Sequence, residues 1–162
     1  HHRCTYLNRR GSLRPLPRRV NYELGIMNDE LIDKVGNRRC ENVLLNKSKA
    51  FAIRMIGLYK YLTQRPDSQN REYVLSKQIL RSGTSIGANI REAQRAQTTA
   101  DFLSKLFIAF KEADETAYWL ELLHETDYLT EEMFSSLYTD CEEILKLLSS
   151  ITKSTRQNQQ YQ

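Results

Sequence analysis

The chain has 162 residues, 40% of them apolar, with only three prolines and six glycines, which suits one helical domain and disfavours a sheet protein. The net charge of +4 originates in residues 1–26, where six arginines face one acidic residue, while the other residues carry 18 basic and 19 acidic side chains. Any binding of nucleic acid by the folded part must therefore depend on how charge is arranged on its surface.

The cysteines and the hydropathy of the chain indicate its cellular compartment. Cys4, Cys40 and Cys141 form an odd set without ligand-like spacing, which disfavours a disulfide framework or a zinc site. The chain has no apolar run of 18 residues and no signal-peptide pattern. We therefore expect a reduced, cytoplasmic protein that makes no contact with a membrane.

The first 47 residues form a predicted N-terminal extension. Residues 1–26 combine arginine with proline and show little periodicity, so we expect disorder there. Two interpretations are open: a basic arm that binds phosphate groups, or translated sequence upstream of a start at Met27. Residues 28–47 predict at most a short helix around Leu31 that breaks near Gly36.

Residues 48–155 predict four helices joined by short turns. Ser48 suits an N-cap for the first helix, which ends before Pro66 because proline cannot continue a helix. The predicted helices span residues 48–64, 71–96, 98–125 and 130–154, and residues 156–162 are expected to fray. Helices of this length, joined in this way, predict an all-α fold, an up-down-up-down antiparallel four-helix bundle.

The second predicted helix has two chemically different faces. At about 100° per residue its apolar residues fall on one side, namely Leu75, Ile79, Ile86, Ile90 and Ala93. A basic stripe falls on the other side, formed by Lys77, Arg81, Arg91 and Arg95. One interpretation pairs the arginines, Arg81 first, with Glu112, Glu115 or Glu121. The other makes the stripe a nucleic-acid-binding site that follows a phosphate backbone.

Small residues lie in the middle of the same helix. Gly83 and Gly87 do not predict a phosphate-binding loop, since no Gly-Lys-Ser/Thr follows and no strand precedes them. Small side chains at this spacing let two helices approach closely. We therefore predict that Gly83, Gly87 and Ala88 pack against a neighbouring helix, with the nearby serines in a small polar network.

The third predicted helix is apolar on two sides. Ile108, Trp119 and Leu122 lie about 140–180° from its core stripe. A helix with two apolar sides is usually buried on both. Either the short N-terminal helix covers these residues, or they form an oligomer interface.

Catalytic and metal-binding patterns are weak. Glu121 and His124 match the Glu-x-x-His spacing of di-iron bundles, but that site needs a second such pair, and the other two histidines are His1 and His2. No combination of nucleophile and base stands out. We predict a protein that is not an enzyme, with no catalytic residue, no metal, no cofactor and no small-molecule substrate.

Several motifs carry a family resemblance, among them Tyr73-Val-Leu-Ser-Lys-Gln, the run LRSGTSIGANIREA from Leu80 to Ala93, Ala100-Asp-Phe, and Lys111-Glu-Ala through Tyr118-Trp-Leu. Over residues 48–155 the chain resembles the bacterial four-helix bundle proteins encoded in intervening sequences of 23S ribosomal RNA genes. The resemblance implies a homopentamer. It also implies a likeness in fold to the accessory variability determinant of diversity-generating retroelements, a basic pentamer that works with a reverse transcriptase and nucleic acid.

The resulting hypothesis is a non-enzymatic homo-oligomer, pentameric by resemblance, that binds RNA or a ribonucleoprotein partner through the second helix. The nearly neutral charge of residues 27–162 argues against strong binding of nucleic acid. The alternative hypothesis is a protein–protein adaptor or scaffold that makes no direct contact with nucleic acid.

Overall fold

Four helices account for most of the chain that the computed structural model describes, which comprises residues 5–7, 13–15, 29–67 and 71–160. The helices are α1 (Asp29–Thr63), α2 (Leu75–Ala93), α3 (Thr99–Glu125) and α4 (Glu131–Gln160). Two short strands, β1 (Thr5–Leu7) and β2 (Leu13–Pro15), pair antiparallel, with Tyr6 opposite Arg14. None of the described helices has the length and apolar character needed to cross a membrane.

Each helix of the bundle packs against two antiparallel neighbours. Met55 of α1 lies against Gly83 of α2, and Ser82 of α2 is hydrogen-bonded to Thr116 of α3. Cys141 of α4 contacts the carbonyl oxygen of Ala113 on α3, and Glu143 of α4 forms an ion pair with Lys47 of α1. The predicted all-α, up-down-up-down antiparallel four-helix bundle is therefore confirmed. One consequence for function is that α1 and α3 lie diagonally across the bundle, as do α2 and α4.

The core consists of one stripe of buried residues from each helix, spaced mainly by steps of three and four. On α1 the stripe contains Leu44, Ser48, Phe51, Met55, Leu58 and Leu62. On α4 it contains Leu137, Cys141, Ile144, Leu148 and Ile151. This spacing keeps a stripe on one side of a helix over many turns, which is why sequence periodicity predicts these faces.

The predicted start of the first helix was wrong. The helix begins at Asp29 and passes through Gly36 without a break, so Ser48 is an interior residue rather than an N-cap. The Ser48 hydroxyl donates a hydrogen bond to the Leu45 carbonyl oxygen at 3.1 Å. Leu44 continues the buried stripe by one more step, and its burial favours helix on the N-terminal side of Ser48.

The second helix begins four residues later than predicted because Glu72 caps it from outside. The buried carboxylate of Glu72 accepts hydrogen bonds from the backbone N–H groups of Val74, Leu75 and Ser76 at 2.6–2.8 Å. Burial alone would raise the pKa of Glu72, but these donors outweigh it and hold the pKa below its usual value. A side chain that serves three N–H groups in this way must lie outside the helix itself.

The remaining boundaries follow the predicted caps more closely. The Thr98 hydroxyl accepts a hydrogen bond from the backbone N–H of Asp101, and the Thr130 hydroxyl accepts one from Met133. The fourth helix continues to Gln160, beyond the predicted end near residue 154. Most of residues 1–26, for which we predicted disorder, lie outside the described residues. The strand pair β1–β2 lies within that range and was not predicted.

Candidate nucleic-acid interface

The predicted basic stripe lies on the solvent side of α2 and the turn that follows it. Lys77, Arg81, Arg91 and Arg95 are all exposed. At 1.5 Å per residue the stripe is about 27 Å long. It faces away from the buried stripe of Ile79, Ile86 and Ile90, so the predicted separation of apolar and basic faces matches the structure.

Arg81 is engaged by the neighbouring helix. Its Nη2 atom lies 2.6 Å from Oε1 of Glu115 on α3, and the same oxygen accepts a hydrogen bond from Nε1 of Trp119 at 3.0 Å. Glu115 therefore holds Arg81 and Trp119 at once. The ion-pair interpretation of the stripe applies to this arginine, whose Nη2 atom is engaged by Glu115.

A small polar network lies beneath this ion pair, as the serines in the motif predicted. The Thr116 hydroxyl donates a hydrogen bond to the Ser82 hydroxyl at 2.9 Å, and both side chains are buried between α2 and α3. Beside them, Oε2 of Glu112 is buried without a hydrogen-bond partner. Burial, with repulsion from Glu115, raises the pKa of Glu112 despite the opposing attraction of Arg81.

The other three cations of the stripe are available for a ligand. Within the described part of the chain, Lys77, Arg91 and Arg95 have no ion-pair partner. Glu92, the acidic residue of α2, is bound by Nζ of Lys105 on α3 at 2.6 Å. The negative charge next to Arg91 in the sequence is thus already compensated, and the field on this side of α2 remains positive.

Charge is segregated between two halves of the bundle. The described side chains of α1 include four basic and no acidic residues, and α2 carries three basic and one acidic. On the opposite half, α3 carries six acidic and two basic residues, and α4 five acidic and three basic. Ion pairs join the two halves, linking α1 to α4 and α2 to α3. A body with almost no net charge therefore has a basic side made by α1 and α2.

Sequence reasoning missed two contributors to this basic side. Lys49 and Lys60 are exposed on α1, next to α2 in the bundle. The sequence did contain a sign of a basic surface on the first helix, since no acidic residue occurs between Glu41 and Asp67. Without the register of the helices, however, nothing indicated that α1 and α2 would be neighbours with the same sign of charge.

Gly83 and Gly87 lie in the contact between α2 and α1. A Cβ atom on Gly83 would collide with the Met55 side chain, and one on Gly87 would lie 3.4 Å from the backbone oxygen of Ser48. Ala88 does not share this role. It is exposed, because it lies about 140° around the helix from Gly83, so its predicted packing against a neighbouring helix was wrong.

The predicted oligomer-interface residues lie on the outer side of α3. Ile108 is 40% exposed, whereas Trp119 and Leu122 are half-buried. The Trp119 ring packs against Tyr118, with ring centroids 5.3 Å apart. The N-terminal helix that offered an alternative cover is the first part of α1, and its side chains before Val43 lie outside the described residues.

The two residues with di-iron spacing have separate structural roles. Nε2 of His124 lies 2.8 Å from Oε2 of Glu131, and the imidazole ring meets Phe134 edge-on at 4.4 Å between centroids. Glu121 accepts a hydrogen bond from the Tyr138 hydroxyl at 2.8 Å. Among the residues that the structure describes, no group of three His, Cys, Asp or Glu side chains is placed to hold a metal ion.

Comparisons with known proteins agree on one family. Residues 41–150 match the family model described as the 23S rRNA-intervening sequence protein. A solved structure of a protein of unknown function from the S23 ribosomal protein family of Bacteroides thetaiotaomicron is similar at 57% sequence identity and a TM-score of 0.66. The similarity covers 70% of this chain and 98% of that one. No curated protein matches the chain.

Proposed function

The chain belongs to the 23S rRNA-intervening sequence protein family, and from this premise we propose that it is a non-enzymatic, homo-oligomeric bundle that binds RNA or a ribonucleoprotein partner through α2. The number of copies that we propose is five, as the resemblance implies. The proposal includes no cofactor and no small-molecule substrate, and it places the protein in the cytoplasm.

The observation that carries the proposal is a row of cations on the basic half of the bundle that have no ion-pair partner among the residues the structure describes. Lys77 and Arg91 are exposed on one side of α2, Arg95 is exposed in the turn that follows, and Lys49 and Lys60 extend the positive surface onto α1. Cations arranged in this way attract a phosphate backbone and release its counterions, which supplies most of the affinity in binding without sequence preference. The segregation of charge removes the objection raised by a nearly neutral body.

The composition of α2 also limits what kind of recognition we propose. No aromatic side chain occurs anywhere in Leu75–Ala93, so this helix has no ring on which an unstacked base could stack. Contacts from lysine and arginine to phosphate position a nucleic acid without reading its sequence. We therefore expect binding through the backbone, with weak preference among sequences.

Assembly would convert these few contacts into useful affinity. One copy offers three cations on α2 and the turn after it that have no ion-pair partner among the described residues, which is a small number for stable binding at physiological salt. Repetition of the same surface in an oligomer lets one RNA contact several copies, and the later contacts become intramolecular.

The test is RNA affinity as a function of salt concentration. The arginines of residues 1–26, here called the tail, must not contribute to RNA affinity. The starting protein is therefore the full chain with these six arginines replaced by glutamine, the tail-neutral protein. In that background Arg91→Ala with Arg95→Ala should weaken binding and reduce the slope of log affinity against log salt by about 1.4 per copy engaged. The matched control is Lys146→Ala with Lys153→Ala, two exposed cations on acidic α4, which should leave the slope unchanged.

The adaptor hypothesis is the second candidate, and the engagement of Arg81 by Glu115 favours it. The adaptor hypothesis is supported if the tail-neutral protein shows no salt-dependent RNA binding, or if the variant with Arg91→Ala and Arg95→Ala binds RNA as well as its parent. In either outcome the basic stripe would stabilise the fold or contact another protein rather than RNA.

A further inference from the structure

A cleft lies at the end of the bundle where α2 ends and α3 begins. Its volume is about 520 Å³, which falls in the range of roughly 300–1,000 Å³ that is usual for ligand pockets, and it is open to solvent. The side chains that matter for its chemistry come from the turn between the two helices, the first turn of α3 and the C-terminal part of α4: Gln94, Gln97, Thr98, Thr99, Phe102 and Thr155. An open cleft of this size can admit a flat group that stays attached to a longer chain.

The wall of the cleft combines an aromatic ring with amide groups. Phe102 is half-buried and supplies the ring that α2 lacks. Gln94 and Gln97 are exposed, and their amide groups have no hydrogen-bond partner within the described part of the chain. An aromatic ring supports a stacked base, and an amide can both donate a hydrogen bond to the edge of a base and accept one from it. The lining therefore suits a nucleobase, which is apolar on its faces and polar at its edge.

Cations border the cleft on two sides. Arg95 follows the lining residue Gln94, is exposed and ends the basic stripe. Arg156 follows the lining residue Thr155 on α4 and is exposed as well. The carboxylate on this side of the bundle is that of Asp101, in the first turn of α3. A strand whose phosphates follow the basic stripe would therefore reach the mouth of the cleft with a phosphate group close to Arg95.

We infer that this cleft receives one unpaired base of an RNA strand whose phosphates lie along the basic stripe. The inference rests on the proposed function, because it specifies which kind of RNA the stripe would bind. A base inside a duplex is stacked between its neighbours and paired at its edge, so it cannot enter the cleft without being unstacked. The ligand is therefore single-stranded RNA, or a single-stranded segment of a longer RNA. Since every base can stack on an aromatic ring, the preference concerns strandedness rather than sequence.

The test compares a single-stranded uridine oligonucleotide with an RNA duplex of the same length, both titrated into the tail-neutral protein. Phe102→Leu removes the ring and keeps an apolar side chain for packing. It should weaken binding of the single strand about tenfold, the effect of losing one stacked base, and leave duplex affinity and both salt slopes unchanged. Gln97→Ala, at an exposed position, should weaken binding of the single strand by a smaller factor. The matched control is Phe134→Leu, a half-buried phenylalanine at the opposite end of the bundle, which should change neither affinity.

A free nucleotide offers the same base and phosphate without a strand. Uridine monophosphate should bind far more weakly than the oligonucleotide, because it contacts the stripe with one phosphate group only. Equal affinity for the two would show that the cleft takes a free nucleotide, and the inferred strand would be wrong.

The remaining outcomes separate this inference from the function on which it rests. If the tail-neutral protein binds neither RNA in a salt-dependent way, the proposed function and the role of the cleft are both wrong. If it binds both RNAs, and Phe102→Leu and Gln97→Ala keep the parent's affinity for the single strand, only the role of the cleft is wrong. The same holds if Phe102→Leu weakens single-strand and duplex binding equally. Urea unfolding of each variant establishes that a loss of affinity is not a loss of structure, and Gln97→Ala provides the test if Phe102→Leu does not fold.

Discussion

Nη2 of Arg81 on α2 lies 2.6 Å from Oε1 of Glu115 on α3, and this ion pair sets Arg81 apart from Lys77, Arg91 and Arg95, which have no ion-pair partner within the described part of the chain. Because Glu115 also accepts the indole N–H of Trp119, the pair connects the candidate RNA surface with the outer side of α3. The candidate RNA surface and the predicted oligomer-interface residues are therefore adjacent.

The first prediction concerns the different roles of Arg81 and Arg91. Arg81→Ala should lower the free energy of unfolding by less than about 1 kcal/mol, since the pair is largely exposed and surface ion pairs contribute little. It should reduce RNA affinity less than Arg91→Ala does, because Arg91 has no ion-pair partner among the described residues. Urea unfolding and salt-dependent RNA titration in the tail-neutral background measure the two effects. Equal loss of affinity in both variants would show that Arg81 leaves Glu115 to bind RNA.

The second prediction compares two helical glycines. Gly83→Ala should destabilise the fold, because the added Cβ atom collides with Met55 and the overpacking cost of about 1–3 kcal/mol exceeds the gain in helix propensity of roughly 1 kcal/mol. Gly57→Ala should stabilise it by about 0.5–1 kcal/mol, because the new methyl group meets open space within its own chain. Both are measured by urea unfolding at equal protein concentration. A stabilised Gly83→Ala variant would mean that Met55 moves aside without cost.

The third prediction uses the cap at the start of α2. The pKa of Glu72 is held below its usual value of 4.5, so the folded state favours the ionised carboxylate. Its stabilising effect is therefore present above pH 4.5 and is lost as the pH falls through the lowered pKa. Glu72→Gln should cost about 1–2 kcal/mol at neutral pH, within the range of helix N-caps. The difference from the parent should shrink below pH 4.5, as measured by urea unfolding across pH 3–7. A difference that does not change with pH would contradict the cap.

Periodicity was enough to predict the faces of the helices. Ile79, Ile86 and Ile90 are buried and Lys77 and Arg91 exposed because a helix repeats every 3.6 residues wherever it lies in the fold. The turns were also well marked, since threonine hydroxyls at the starts of α3 and α4 satisfy backbone N–H groups locally. These signals depend on neighbours in the sequence, so the all-α bundle could be predicted without a structure.

Other features required the tertiary structure because they depend on contacts between distant residues. Ser48 suits both a helix start and a helix interior, and the burial of Leu44 against the rest of the bundle decides between them. The sequence by itself determined which residues of each helix face the core and that Arg81 was the best candidate for an ion pair. Only the register between antiparallel helices decided that Glu115 is its partner, and that α1 and α2 form one basic side. The physical reason is that charge and packing act through space, and helices far apart in sequence become neighbours only when the core is formed.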